Sequence, residues 1–415
     1  MSGRAILHCD LNNFYASVEA VLHPELKGVP LAVCGAVEDR HGIVLAKSNP
    51  AKAYGVKTGD TVWQAKLKCP SIIILDKPNY AEYSRYSKIV REIYKRYTDR
   101  VEPFGIDECW LDITASTGLF GDPFTIAEKI RNAVREETGL TISVGVSFTK
   151  ILAKLGSDLK KPDATTVISK DNFKRLVFPL PVGDLLGVGK RTAEKLNKYN
   201  ILTIGDLASA DTDFLVSKFG VNGTRLHIYA NGMDCEEVAL CGTSDAPKSI
   251  GNGTTTSEDI KSMEDAEAVI YALAETVATR MRKANVIGKG VSVSVRDMLL
   301  NTMGRQAQLP DYTDNASIIA RQASELLATF YDFRIPLRTI TVTVFSLLDY
   351  EEKPISLFDN EGEKMRHLDR TLDALRERFG KSALKRAINI ESVFDYDTHE
   401  LDTEVGTFCR PDGSV

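Results

Sequence analysis

Carboxylates stand at the ends of buried-strand patterns at two places in this chain, far apart in sequence. Ala5-Ile6-Leu7-His8-Cys9 reads as a buried strand ending on Asp10, and Leu11 to Glu19 then turns into a helix. Asp107-Glu108 form an acidic step within Phe104-Gly105-Ile106-Asp107-Glu108-Cys109-Trp110-Leu111-Asp112, with apolar stretches on both sides. An ionised carboxylate taken out of water is costly unless something positive neutralises it. A fold built on these strands must supply that charge. A pair of divalent cations does so, and two-metal sites serve in-line phosphoryl and nucleotidyl transfer. Each acid alone has a plainer reading: Asp10 as a helix N-cap, Asp107-Glu108 as a hairpin turn. A turn by itself does not account for the strand pattern framing the pair. Asp112 reads as a strand-end residue only.

A chain of 415 residues exceeds one ordinary core, so two to four domains are expected. Its 43% hydrophobic and 26% charged content is that of a soluble globular protein. No apolar run spans a bilayer and the N-terminus lacks a secretory pattern, so no membrane association is expected. Seven scattered cysteines without a CxxC pair indicate neither a disulfide framework nor a zinc site. A reducing cytoplasm is the natural location. The net charge of −5 argues weakly against nucleic-acid binding, but residues 145–200 carry eleven Lys or Arg against five acids, a local +6. Such a stripe fits a nucleic-acid track; solvated helix faces fit it too.

From Arg4 to about Val167, strand patterns (5–10, 30–34, 42–47, 72–75, 101–106, 109–113, 141–147, 165–168) alternate with helical ones (13–22, 50–54, 61–68, 79–98, 124–138, 149–157). That alternation suits an α/β or α+β sheet domain over 1–170. A small insert lies at about 21–74, with a hairpin turn from Gly35 to Gly42. Residues 171–234 are helical and short-looped. There, Gly187-Val188-Gly189 before Lys190 exposes backbone N–H groups at a helix N-terminus, a seat for a phosphate. This is a helix-hairpin-helix signature, with a weaker copy at 219–225; a plain helical turn with a glycine cap is the bland reading. Residues 235–247 read as a linker. Over 248–350 the order βαββαβ implies a four-stranded sheet with helices on one face. Its open face is expected to carry Lys248, Arg296, Arg305 and Arg338. The acidic tail 351–415 holds one apolar plug, Ile355-Ser356-Leu357-Phe358, and a helix at about 361–378.

Cys9 to Glu19 resembles the first carboxylate motif of Y-family translesion DNA polymerases, in the polymerase IV-like branch. Gly105 to Asp112 is similar to their second motif, and Ser147 to Lys154, running on to Lys160-Lys161-Pro162-Asp163, to a third. The resemblance covers residues 4–350. It implies an α+β multidomain, right-hand architecture. The parts are a palm (1–170) with small fingers (the insert), a helix-hairpin-helix thumb (171–234) and a βαββαβ little finger (248–350). It implies template-directed addition of deoxynucleotides to a primer 3′ end, at low fidelity, in translesion synthesis. Asp10 and Asp107 would bridge two Mg²⁺ ions, with Mn²⁺ as a substitute. Glu108 would complete the primer-side ion, and the Leu11 carbonyl would ligate the nucleotide-side one.

By the same resemblance, Tyr15 is the steric gate against a 2′-hydroxyl; the alternative is an ordinary helix aromatic with Phe14 as its core-facing neighbour. Phe14, Asn49, Lys52 and Lys161 fall to the nucleotide. Many members have Tyr and Arg where Asn49 and Lys52 stand, so the bidentate Arg fork is lost here. Gly187, Gly189, Lys190, Lys248, Arg296, Arg305 and Arg338 are expected on primer–template DNA. Leu357 and Phe358 resemble a sliding-clamp-binding peptide, although Pro354 stands where Gln usually leads; a strap packing back on its own domain would look the same. A monomer on DNA is expected. Two rivals stay open at this point: another palm-type transferase such as a nucleotide cyclase, which lacks the helix-hairpin-helix and little finger, and a non-catalytic, clamp-recruited DNA-binding scaffold, which has no need of the acids.

Overall fold

The computed structural model describes residues 3–35, 42–243, 246–352, 360–380 and 383–384, with side chains of the last helix from 364 onward. The chain folds as two compact units that part near residue 244. The first opens with β1 (Ile6–Leu11), α1 (Phe14–Leu22), β2 (Leu31–Cys34), β3 (Val44–Lys47), α2 (Asn49–Ala53), α3 (Val62–Lys68) and β4 (Ile73–Leu75). It continues with α4 (Tyr80–Lys95), β5 (Val101–Pro103), β6 (Glu108–Asp112), α5 (Thr117–Phe120), α6 (Pro123–Thr138), β7 (Ile142–Ser147), α7 (Lys150–Leu159) and β8 (Thr165–Val167). It closes with α8 (Phe173–Val177), α9 (Lys190–Asn197), α10 (Ile204–Ser209), α11 (Thr212–Phe219) and α12 (Val221–Ala230).

The palm sheet has the order β5-β6-β1-β7-β8. β1 lies at its centre, antiparallel to β6 and β7, and every one of its residues is buried. Strand alternation divides the side chains between two faces. Leu7, Cys9 and Leu11 join the core built with Tyr83, Val90 and Ile93 of α4 and Ile126 and Ile130 of α6. Ile6, His8 and Asp10 face the other way, where Ile6 meets Trp110 and Ala153 of α7. α7 comes this close because Gly145 of β7 has no side chain. A Cβ there would stand 1.9 Å from the Ala153 carbonyl oxygen.

The strand expected over 101–106 ends at Pro103, and residues 104–107 form a hairpin loop closed by Phe104 N–H on Glu108 O (2.8 Å). The hairpin turn and the acidic step are thus one feature. The insert forms its own sheet, β3-β2-β4, packed on Ala51, Val56, Ala65 and Cys69. The turn expected between Gly35 and Gly42 falls largely outside the described residues. The helical region gathers Leu185, Leu196, Ile204, Leu215 and Leu226 into a core that Ile151 and Leu155 of α7 also enter. After α12 the chain runs back along the palm. Val238 is fully buried, Ala239 N–H donates to Glu102 Oε2 (3.0 Å), and Cys241 N–H donates to Asp99 O (2.8 Å).

The second unit has the order β9 (Ser249–Ile260), α13 (Met263–Lys283), β10 (Val286–Asp297), β11 (Thr302–Thr313), α14 (Ala316–Phe330), β12 (Leu337–Asp349), the βαββαβ read from the sequence. Its sheet runs β11-β10-β12-β9. Val291, Val293, Val295, Ile340, Val342 and Val344 pack under α13 and α14. The opposite face carries Ser292, Ser294 and Arg296 beside Thr339, Thr341 and Thr343. The expectation for Arg305 is corrected here. It stands directly opposite Val293, so it points to the helical face, where its guanidinium lies 5.8 Å from the Phe330 ring. Arg338 sits at an irregularity between Leu337 and Thr339, and Lys248 is exposed just before β9. The tail helix, α15 (Asn360–Phe379), docks on this unit through buried ion pairs, Arg282 to Asp373 and Arg376 to Glu275. Leu357 and Phe358 lie outside the described residues.

Candidate active site

The acids converge because the sheet register puts them together. Asp10 is directly opposite Glu108 across β1 and β6, and Leu11 N–H donates to Asp107 O at 2.9 Å. The side chains of Asp10 and Glu108 share the α7 face with His8. Among the described residues no three His, Cys, Asp or Glu side chains are gathered closely enough to hold a metal ion. Instead, two lysines hold the charges. Lys161 Nζ is 2.7 Å from Asp10 Oδ2 and 2.9 Å from Asp158 Oδ1. Lys154 Nζ is 2.7 Å from Glu108 Oε2. His8 lies beneath, Nε2 3.2 Å from Glu108 Oε2 and Nδ1 2.8 Å from Ser157 Oγ.

The three acids do not titrate alike. Burial pushes Asp10 up to about 7, against the pull of Lys161 and with the help of the Glu108 charge. Burial and Glu108 push Asp107 up to about 6. Burial pushes Glu108 up as well, but its hydrogen bond with His8 and the charge of Lys154 outweigh this and hold it at about 2. Burial lowers His8, which keeps the ring neutral. The site is therefore short of positive charge at its inner end, the condition that hard divalent cations with oxygen ligands relieve. Asp10, Asp107 and Glu108 offer only oxygen donors, the chemistry such cations take, and Lys154 and Lys161 neutralise two of them here, so the donor set fits.

Around the acids, Tyr15 stacks flat on Tyr83 (ring centroids 4.3 Å, 13°) and meets Tyr80 edge-on. Burial pushes its phenol up to about 12. Phe14 is 3% exposed in the palm core, so its side chain is closed to a nucleotide and only its backbone at the start of α1 is available. Asn49 accepts from Asn13 Nδ2 (2.9 Å), which ties the insert to the turn after β1. Lys52 is exposed on α2, and its charge, after desolvation, helps lower Lys47. Gly187 has φ +90, and Gly189 caps α9 in extended backbone ahead of exposed Lys190. His8, Lys154 and Asp158 belong to the site without having been singled out in the sequence. Only Lys154 left a trace there, in the third motif and four residues before Asp158.

Residues 9–158 match the impB/mucB/samB family, residues 247–357 the C-terminal domain of that family, and residues 170–201 its helix-hairpin-helix motif. The DNA polymerase IV of Acetivibrio thermocellus is 48% identical over 391 residues, which cover 94% of this chain and 98% of that protein. DNA polymerase IV 1 of Bacillus subtilis is 36% identical over 396 residues, 94% of each chain. Among solved structures, a chimeric Y-family DNA polymerase superposes with a TM-score of 0.74 at 25% identity, covering 83% of this chain and 99% of that one.

Proposed function

Because this chain belongs to the impB/mucB/samB family, the Y-family DNA polymerases of the polymerase IV branch, we propose that Asp10, Asp107 and Glu108 are the acids that carry its chemistry. The protein is a translesion DNA polymerase acting on DNA and deoxynucleoside triphosphates, with divalent metal ions. The observation that carries the site assignment is the meeting of Asp10 with Glu108 across one register pair, with Asp107 bonded beside them through Leu11.

Asp10, Asp107, Glu108 and the Leu11 carbonyl would hold two Mg²⁺ ions. When bound, they supply Lewis acidity at the primer 3′-oxygen and at the triphosphate. The chain's own residues do the rest. Glu108 stays ionised throughout the working pH range because His8 and Lys154 hold it so. Lys161, bonded to Asp10 Oδ2 at 2.7 Å at the rim of the site, would offer its charge to a phosphate oxygen of the triphosphate. Asn49 and Lys52 face the triphosphate from the fingers, as a hydrogen-bonding group and a point charge. Tyr15, braced flat on Tyr83, sits under the sugar and excludes a 2′-hydroxyl. Gly187, Gly189 and Lys190 take a DNA phosphate at the start of α9. Arg296 and the threonines beside it meet the duplex backbone, with Lys248 and Arg338 at the margin. Leu357 and Phe358 engage a sliding clamp, and the protein works as a monomer.

Primer extension on a DNA template with Mg²⁺ tests this. Asp107→Ala should abolish extension while the primer–template dissociation constant is kept. Tyr15→Ala should raise ribonucleotide incorporation by roughly 10- to 100-fold, the scale of a steric sieve. Extension surviving Asp107→Ala overturns the site assignment, and an unchanged sugar ratio overturns the gate.

A further inference from the structure

The loop that carries Asp107 is held by more than the strands it joins. Between β5 and β6, three successive carbonyls are each taken by a donor from another element. Gly105 O accepts from Arg91 Nη2 at 2.9 Å, Ile106 O accepts from Ser87 Oγ, and Asp107 O accepts from Leu11 N–H at 2.9 Å. Ser87 and Arg91 are four residues apart on α4, so both reach the loop from one face of that helix. Gly105 has φ +93, and a Cβ there would stand 3.6 Å from Asp107 Oδ1. The carboxylate is therefore folded back over the same peptide units that α4 grips. With all three carbonyls engaged, no peptide of the loop can rotate without breaking a hydrogen bond, and those from Ser87 and Arg91 are partly buried, which raises the cost of losing them. Burial raises the thiol of Cys109, next to Glu108, and the Arg91 charge pulls against that rise.

We propose that Ser87 and Arg91 are positioning residues, which fix the Gly105–Asp107 loop through its carbonyls and so hold Asp107 in the geometry that nucleotide addition needs. The inference rests on the reading of Asp107 as a metal-binding acid. Groups behind a metal ligand typically matter by about 10- to 100-fold when removed.

The test compares the full-length protein with Ser87→Ala/Arg91→Met and with Arg91→Lys, which keeps one donor for Gly105 O. Steady-state extension gives kcat and KM for the triphosphate, titration gives primer–template affinity, and hydrogen exchange is followed in the metal-free protein. The double variant should lose about 10- to 100-fold in kcat, with KM and DNA affinity within about twofold. Exchange at the Leu11 amide should quicken while Ile6 and Leu7 on the same strand keep their protection. Arg91→Lys should recover part of the loss in both readouts. Unchanged kcat and unchanged Leu11 exchange overturn the proposal. So does a loss of protection along the whole of β1, which means scaffold damage rather than positioning. If Asp107→Ala stays active, the reading beneath the proposal falls instead, and the exchange result shows whether α4 still grips the loop.

Discussion

At the scale of single residues, Asp10 shows what the site costs the fold. Its carboxyl titrates near 7, whereas an unfolded aspartate titrates near 4. The native state then binds more protons than the unfolded state between those values, so stability falls as pH rises through that window. In the metal-free protein, Asp10→Asn should raise the thermal midpoint at pH 8. The gain should shrink as pH falls through that window and vanish only below about 4, where the wild-type carboxyl becomes protonated in the unfolded state as well. Thermal melts in chelator across that range check this, and a gain independent of pH would contradict it. The acids stood out in the sequence because each ends or interrupts an apolar pattern, whereas Tyr15 was singled out only through the family resemblance. His8, Ser87 and Arg91 did not stand out. His8 sits inside an apolar strand, and the helix residues reach carbonyls that no local pattern reveals.

At the scale of elements, the approach of α7 to β7 decides whether Lys154 and Lys161 arrive at the acids. Gly145 permits that approach, and Gly156 of α7 lies against it, a Cβ there being 3.2 Å from Gly145 Cα. Gly145→Ala should destabilise the palm by about 1–3 kcal/mol or more, as overpacking against backbone does. A denaturant midpoint unmoved by that change would mean that the helix yields. Strand and helix spans in the palm followed from period and length. The strand read over 101–106 ended early because Gly105 takes a positive φ that turns the chain, and an apolar run does not announce that turn. Arg305 was placed on the wrong face for a related reason. The turn after β10 sets a register that pairs Arg305 with Val293, and one residue of difference in that register would exchange the two faces of the strand.

At the scale of the whole molecule, the little-finger sheet separates a helix-covered face from one of hydroxyls and glycine. Gly251 and Gly253 stand where a side chain would collide with Thr343 and Thr341, so that face stays flat beside Arg296. A phosphate-facing role predicts that Arg296→Ala weakens primer–template binding and reduces the salt slope by about 1. Arg305→Ala should leave the slope alone; equal effects would contradict the division of faces. The βαββαβ order of this unit was legible from period and length. The docking of α15 was not, because its buried ion pairs join residues about a hundred positions apart, such as Arg376 and Glu275.

The central claim is that Asp10, Asp107 and Glu108 share one pair of cations. Its most direct test is the number of Mn²⁺ ions bound, counted by electron paramagnetic resonance, in a complex with a dideoxy-terminated primer–template and the matching triphosphate. Two ions should bind per wild-type protein. Asp107→Ala and Glu108→Ala should each bind fewer at the same free Mn²⁺. Two ions held with undiminished affinity in both variants would contradict the claim.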